Sequence, residues 1–261
     1  MPTTNELGRP TESIGDLLNL VSDLPLEPGK PLVADEELQG IRLAILTEAI
    51  FLAHKAAHVL GASQVHAEKG MISWSTSSAY YSAFFGMQAI LRFLGVAAVD
   101  VQSKDYLIDI WPTDKATINI HKATRSFQHR EKWGIFQRLL RVADISSVWP
   151  SKPVVEIREI GTAEFARPRN RLYYDLHFWP LSDLHNCLVW SPEPNTELLP
   201  ESDGFPIILA FTVFGLSYRL IHDLATKAPL IADELAIIDN WIKNDFNHTF
   251  RNATSTELLS D

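Results

Sequence analysis

The chain has 261 residues, 46% of them hydrophobic and 21% charged, with a net charge of −9. That is a globular balance with enough apolar material for a sizeable core, and its acidity argues against nucleic-acid binding over the whole surface. The single cysteine, Cys187, excludes an intrachain disulfide and makes a Cys-based zinc site implausible, and so little cysteine suits a reducing, cytoplasmic setting.

Residues 1–34 read as a flexible N-terminal segment. Met1 to Pro10 is polar and lacks the apolar core of a signal peptide. Ile14, Leu17, Leu18 and Val21 repeat at helical spacing, and Pro25, Pro28, Gly29 and Pro31 then form a linker. The first long helix is predicted from about Asp35 to Leu60. Leu43, Leu46, Ile50, Ala53, Ala57 and Leu60 make one apolar stripe, widened by Ile41, Ile45, Ala49 and Leu52, and Gly61 is the expected stop. A second helix is predicted from Ser75 to Leu94, stopped by Gly95. Its aromatic and apolar residues (Tyr80, Tyr81, Phe84, Phe85, Met87, Leu91, Phe93) alternate with small ones such as Ser78, Ala79, Ser82, Ala83 and Gly86. Small residues let a neighbouring helix approach while the rings fill the flanking space.

Period-two alternation over residues 106–111 and 117–121, around Pro112-Thr113-Asp114-Lys115, predicts an antiparallel β-hairpin packed on the helices. A third helix is expected over His129–Ala143, with Trp133, Phe136, Leu139, Leu140 and Val142 inward. A fourth starts near Pro153 and runs through Ile157 and Ile160, kinked or split at Pro168. Residues 192–204 read as a loop. Helices over 206–226 and 229–244 close the chain, the second with Pro229 as its first residue. The apolar stretch Phe205–Leu216 falls short of the roughly 20 residues that span a bilayer and reads as a buried helix. The sequons at Asn247 and Asn252 lack a secretory signal and read as chance matches.

Charge is unevenly spread. Between His121 and Arg171 there are eleven Lys and Arg against five Asp and Glu, a local excess of six that leaves the rest of the chain at −15. Such a basic middle either faces an anionic partner or consists of solvated helix faces and internal ion pairs. His54 and His58, four apart, have the H-x-x-x-H spacing of some zinc sites, with His66 as a conceivable third ligand. Lys55 stands where zincin chemistry needs Glu, so ordinary surface or interhelix histidines are the better reading. Neither a phosphate-binding Gly-rich loop nor a G-x-S-x-G nucleophile elbow occurs.

The most specific local feature is Arg167-Pro168-Arg169-Asn170-Arg171-Leu172-Tyr173-Tyr174-Asp175-Leu176-His177. Its closely spaced arginines are hard to bury and call for water, an anion or acidic partners. Tyr173 and Tyr174 can stack on a base or on an arginine plane. Alternatively, Arg169 or Arg171 ties helix ends together through backbone carbonyls.

Ala79-Tyr80-Tyr81-Ser82-Ala83-Phe84 through Ile90-Leu91 to Gly95 resembles the second helix of HEPN domains (higher eukaryotes and prokaryotes nucleotide-binding). His129-Arg130-Glu131-Lys132-Trp133 resembles the start of their third helix, and Arg169-Asn170 with its aromatic neighbours their fourth-helix motif. The resemblance covers about residues 35–180. It implies an all-α, HEPN-like helical bundle over 35–190 with a small β-hairpin insertion at about 105–122. Two extra C-terminal helices, at 205–245, would pack on that bundle. It further implies a homodimer paired through the helices that carry the Arg motif; on the residues themselves no cofactor, metal or membrane is expected. RNA or a nucleotide, a protein antitoxin and a nucleotidyltransferase are the partners it suggests.

In ribonuclease members of that family an Arg with a polar follower holds the phosphate, and a His four to six residues on assists attack by the 2′-hydroxyl. Carried over here, the catalytic set would be Arg169, Arg171 and His177, with Asn170, Tyr173 and Tyr174 as binding residues. The match is imperfect. His177 lies seven intervening residues after Arg169; the Arg171 spacing fits, but Leu172 replaces the polar follower, and Tyr174 stands where the His would fall after Arg169. Two expectations result: a non-catalytic, dimeric binding module for nucleic acid or protein, or a metal-independent endoribonuclease of toxin or phage-defence type.

Overall fold

The computed structural model of the protein describes residues 32–33, 39–101, 103–110, 119–123, 126–142, 152–174, 199–200 and 205–227. Outside them lie the amphipathic piece near Ile14, the Pro25–Pro31 linker, the hairpin turn at 112–115, His177, Cys187 and the expected helix over 229–244. The described residues are mostly helical, as the apolar periodicities predict, and carry a small antiparallel sheet. By compactness the chain divides into two units, Met1–Phe51 with Gln88–Gln128 and Leu52–Met87 with His129–Asp261.

The elements in chain order are β1 (Leu32–Val33), α1 (Gln39–Glu68), α2 (Ile72–Phe93), β2 (Val96–Val101), β3 (Lys104–Asp109), β4 (Asn119–Lys122), α3 (His129–Val142), α4 (Lys152–Ile157), a 3-10 turn (Glu164–Ala166), α5 (Arg167–Tyr174) and α6 (Phe205–Lys227).

The first unit holds the sheet, whose order is β1-β4-β3-β2. The expected hairpin is present as β3 against β4, with Ile108 opposite Ile120 and Tyr106 opposite Lys122. Tyr106, Ile108 and Ile120 are buried, the inward half of the alternation. Two strands were not anticipated. β2 pairs with β3 from Val96↔Asp109 to Val101↔Lys104, and Leu32–Val33 pairs with β4. β2 reads Val-Ala-Ala-Val and Val96 to Val99 are all buried, so it lacks the alternation that marks a half-buried strand. Its connection to β3 uses Ser103 at φ +61, whose N–H donates to Asp100 Oδ1 at 3.2 Å. Asp105 anchors the chain beyond β4: its carbonyl accepts from Ala123 N and its carboxylate from Phe127 N at 3.0 Å. In the same unit Arg92, almost fully buried, donates to Glu48 at 2.9 Å. Burial lowers the Arg92 pKa and Glu48 acts in the opposite direction.

The second unit contains Leu52–Met87, the turn of the α1–α2 hairpin with the adjoining parts of both helices. α1 does not stop at Gly61 but runs to Glu68. A mid-helix glycine costs only about 1 kcal/mol, and the two turns beyond it are well held. Ser63 Oγ donates to the Ser75 carbonyl and Ser75 Oγ to the Ser63 carbonyl, both at 2.8 Å, and Ala67 is buried. The helix ends instead at Gly70, φ +72, where Gly70 N bonds Ala67 O and Met71 N bonds His66 O, the Schellman pattern. Gly95, φ +78, ends α2 as expected. The small residues of both helices permit close approach: Ser82 Oγ reaches the Ala56 carbonyl at 2.7 Å.

α3 matches its predicted span, with Trp133, Phe136 and Leu140 fully buried. The expected fourth helix is split. α4 ends at Ile157, Phe165 in the 3-10 turn inserts into the core, and α5 restarts with Pro168 in its first turn, where the missing N–H does no harm. Gln137 holds the break by donating to the carbonyls of Ile157 and Ile160 at 2.7 and 2.6 Å. The apolar run in α6 is longer than expected: Phe205–His222 would suit a membrane by length and composition, but that stretch is 72% buried within the fold. It is a core helix.

A histidine, tyrosine and arginine cluster on the face of α2

Three elements of the second unit meet over the aromatic face of α2. Phe84 lies four residues from Tyr80 and three from Tyr81, so its ring falls on the side of the helix that both tyrosines border. His129, the first residue of α3, stacks on Phe84 with centroids 3.9 Å apart and an interplanar angle of 19°. Its Nδ1 lies 2.6 Å from the Tyr80 hydroxyl. From α5, the Arg169 guanidinium carbon sits 5.7 Å from the Tyr80 ring centroid and 5.8 Å from that of Tyr81. These are cation–π distances. Behind the cluster Trp133 stacks on Phe165 at 4.2 Å and 12°, which fixes the base of α5.

The proton positions follow from the donor inventory. Besides His129, the polar groups acting on the Tyr80 hydroxyl are the Trp133 indole N–H and the Arg169 guanidinium, which only donate, and the neighbouring Tyr81. His129 Nδ1 is the acceptor that lies within hydrogen-bond distance, so the phenol proton is assigned to it and the imidazole proton to Nε2. Trp133 Nε1 and Arg169 Nε are buried and complete no hydrogen bond among the described residues. Burial pushes the Tyr80 phenol up to about 12, against the opposing pull of Trp133 and Arg169. Burial also lowers the His129 pKa, reinforced by the positive charges of Arg169 and Lys132. The cluster is thus a neutral phenol–imidazole pair beside a fixed cation.

Of the Arg-motif residues singled out from sequence, those described all lie on α5 and differ in exposure. Arg169 points inward to α2. Asn170 and Arg171 are exposed, as are Tyr173 and, at 74%, Tyr174. His177 lies outside the described residues. Arg167 is exposed and paired with Glu164 at 2.6 Å. Other members of the basic middle are engaged internally: Arg141 with the Arg158 carbonyl and Arg130 with Thr162 Oγ1 at 3.3 Å. The second expectation for that stretch therefore accounts for part of its charge, while Arg171, Tyr173 and Tyr174 are exposed on α5.

His66 bonds Ser78 Oγ at 3.3 Å through Nδ1, and among the described residues no three His, Cys, Asp or Glu side chains gather as a metal site would need.

His129 and Trp133 went unremarked as site residues because nothing local marks them. Tyr80 and His129 are 49 residues apart, and only the fold brings them together. The one available signal was that the α2 and α3 stretches both stood out in the resemblance. No family model matches the chain, and no curated protein or solved structure matches it.

Proposed function

We propose that the chain is a HEPN-like, non-catalytic binding module, cytoplasmic and dimeric, whose outer α5 face takes single-stranded RNA. The observation that carries this reading is the division of labour on α5. Arg169 is withdrawn onto the Tyr80 and Tyr81 rings, whereas Asn170, Arg171, Tyr173 and Tyr174 stay exposed. An arginine set against ring faces in this way serves packing more than phosphate chemistry. Exposed tyrosines beside an arginine suit base stacking and backbone contact, which are sequence-tolerant and salt-dependent. Fluorescence anisotropy with a short labelled single-stranded RNA tests the reading. Tyr174→Ala and Arg171→Ala should each weaken binding, the tyrosine by about 5- to 160-fold, as the roughly 1–3 kcal/mol of one stacked base implies. Arg171→Ala should also flatten the salt dependence. Unchanged affinity in both variants would remove the face from consideration.

The ribonuclease reading keeps one supporting observation. Arg169 lies beside a histidine whose neutral form is favoured, the state a general base requires. Against it, the only described His near Arg169 is already engaged with the Tyr80 hydroxyl through Nδ1. A protein antitoxin or a nucleotidyltransferase remains a proposed partner for the acidic remainder of the surface. The homodimer, with α5 near the two-fold axis, should bury at least about 1,000 Å².

A further inference from the structure

His129 is half-buried among groups that oppose its protonation. From α2 it receives the Tyr80 hydroxyl at 2.6 Å, the Phe84 ring face at 3.9 Å and the Tyr81 ring edge-on at 6.3 Å. From its own helix comes Lys132, whose amine is 6.0 Å from the Phe84 ring centroid. From α5 comes Arg169. An imidazolium has two N–H donors and no acceptor. Once protonated, His129 could no longer accept the phenol proton. Its Nδ1–H, the Trp133 indole N–H and the Arg169 guanidinium would all be donors around one hydroxyl whose own proton had lost its acceptor. A buried, unsatisfied polar proton is costly, and a further cation would meet the charges of Arg169 and Lys132.

The arrangement also shows which part yields. His129 is fixed by its stack and by α3. Arg169 is held by ring faces, and its buried Nε completes no hydrogen bond among the described residues. α5 is only eight residues long, too short to persist as a helix without packing. We propose that Tyr80, His129 and Arg169 form a proton-operated latch, in which protonating His129 expels the Arg169 side chain and frees α5 from the face of α2. The depressed His129 pKa is the same coupling seen from the other side: Arg169 in place opposes the proton, and the proton opposes Arg169. The latch stands independently of what the outer face of α5 binds.

Hydrogen exchange of the full chain between pH 7.5 and pH 5, corrected for intrinsic rates, tests it. Residues 164–174 should lose at least about tenfold protection on the acid side while the α1–α2 hairpin keeps its own. In His129→Asn the amide oxygen can still accept the Tyr80 proton but cannot titrate, so the protection of 164–174 should become independent of pH. Arg169→Gln supplies a second readout. With the cation gone, the His129 ring-proton titration followed by NMR should move up toward the ordinary histidine range. Protection of 164–174 that stays flat in the natural chain would overturn the latch. So would a loss shared equally by α1 and α2, an acid loss that survives in His129→Asn, or a His129 titration indifferent to Arg169→Gln.

Discussion

Replacing Tyr80 with phenylalanine removes one oxygen from the centre of the second unit and leaves the ring. At neutral pH the loss has two parts. One hydrogen bond at 2.6 Å disappears, and the partly buried His129 Nδ1 is left without its donor. Together they should cost about 1–2 kcal/mol. Alkaline pH adds a dependence with a definite sign. The folded Tyr80 pKa, about 12, lies above the roughly 10 of an unfolded chain. The stability tied to its proton is therefore complete below pH 10 and is lost as the pH climbs toward the folded value. Linkage puts the loss at about 1.4 kcal/mol by pH 11. The phenylalanine variant has no phenol to titrate, and every other titrating group is common to both proteins. The natural chain's advantage over Tyr80→Phe should therefore be about 1–2 kcal/mol at pH 8 and close to nothing at pH 11. Urea unfolding at the two pH values, with m unchanged between variants, measures it. A difference below about 0.3 kcal/mol at pH 8, or one that grows with pH, would refute the assigned hydrogen bond and the burial behind it.

The packing sets further outcomes. A Cβ at Gly86 would stand 3.1 Å from Val213 Cγ1 and 3.5 Å from the Val213 backbone. Gly86→Ala should therefore destabilise by about 1 kcal/mol despite its gain of up to about 1 in helix propensity, and adding Val213→Ala should recover part of that relative to Val213→Ala alone; a stabilising Gly86→Ala would show that α6 has room to shift. Phe165→Ala, which empties the stack on Trp133, should cost about 3–5 kcal/mol in urea unfolding, and a cost under 1 would mean that the 3-10 turn is not part of the core. Light scattering at micromolar concentration should return twice the 29.4 kDa chain mass, and a monomer there would contradict the proposed dimer.

Helix positions were legible wherever a long apolar period carried the information. α2 and α3 fall within three residues of their predicted bounds at each end, and the β3–β4 pairing follows directly from the alternation of Tyr106, Ile108 and Ile120. The misreadings have local causes. Gly61 looked like a terminator because its tertiary support, the Ser63–Ser75 bonds, lies across a turn. β2 was hidden because Val96, Ala97, Ala98 and Val99 are all buried, so that stretch shows no period. The Arg motif was legible as a motif but not in its orientation: sequence cannot distinguish an Arg169 aimed at phosphate from one laid on Tyr80 and Tyr81. The Tyr80–His129 bond was not legible at all, being a product of how α2 and α3 pack.

The central claim is that this chain holds RNA through α5 without cutting it. Incubating the purified full-length protein with end-labelled single-stranded RNA in EDTA, then resolving the mixture on native and denaturing gels, tests it most directly. The account expects a shifted band on the native gel, weakened by Tyr174→Ala, and full-length RNA on the denaturing gel from both the natural protein and His177→Ala. Cleaved RNA that becomes intact again in His177→Ala would contradict it.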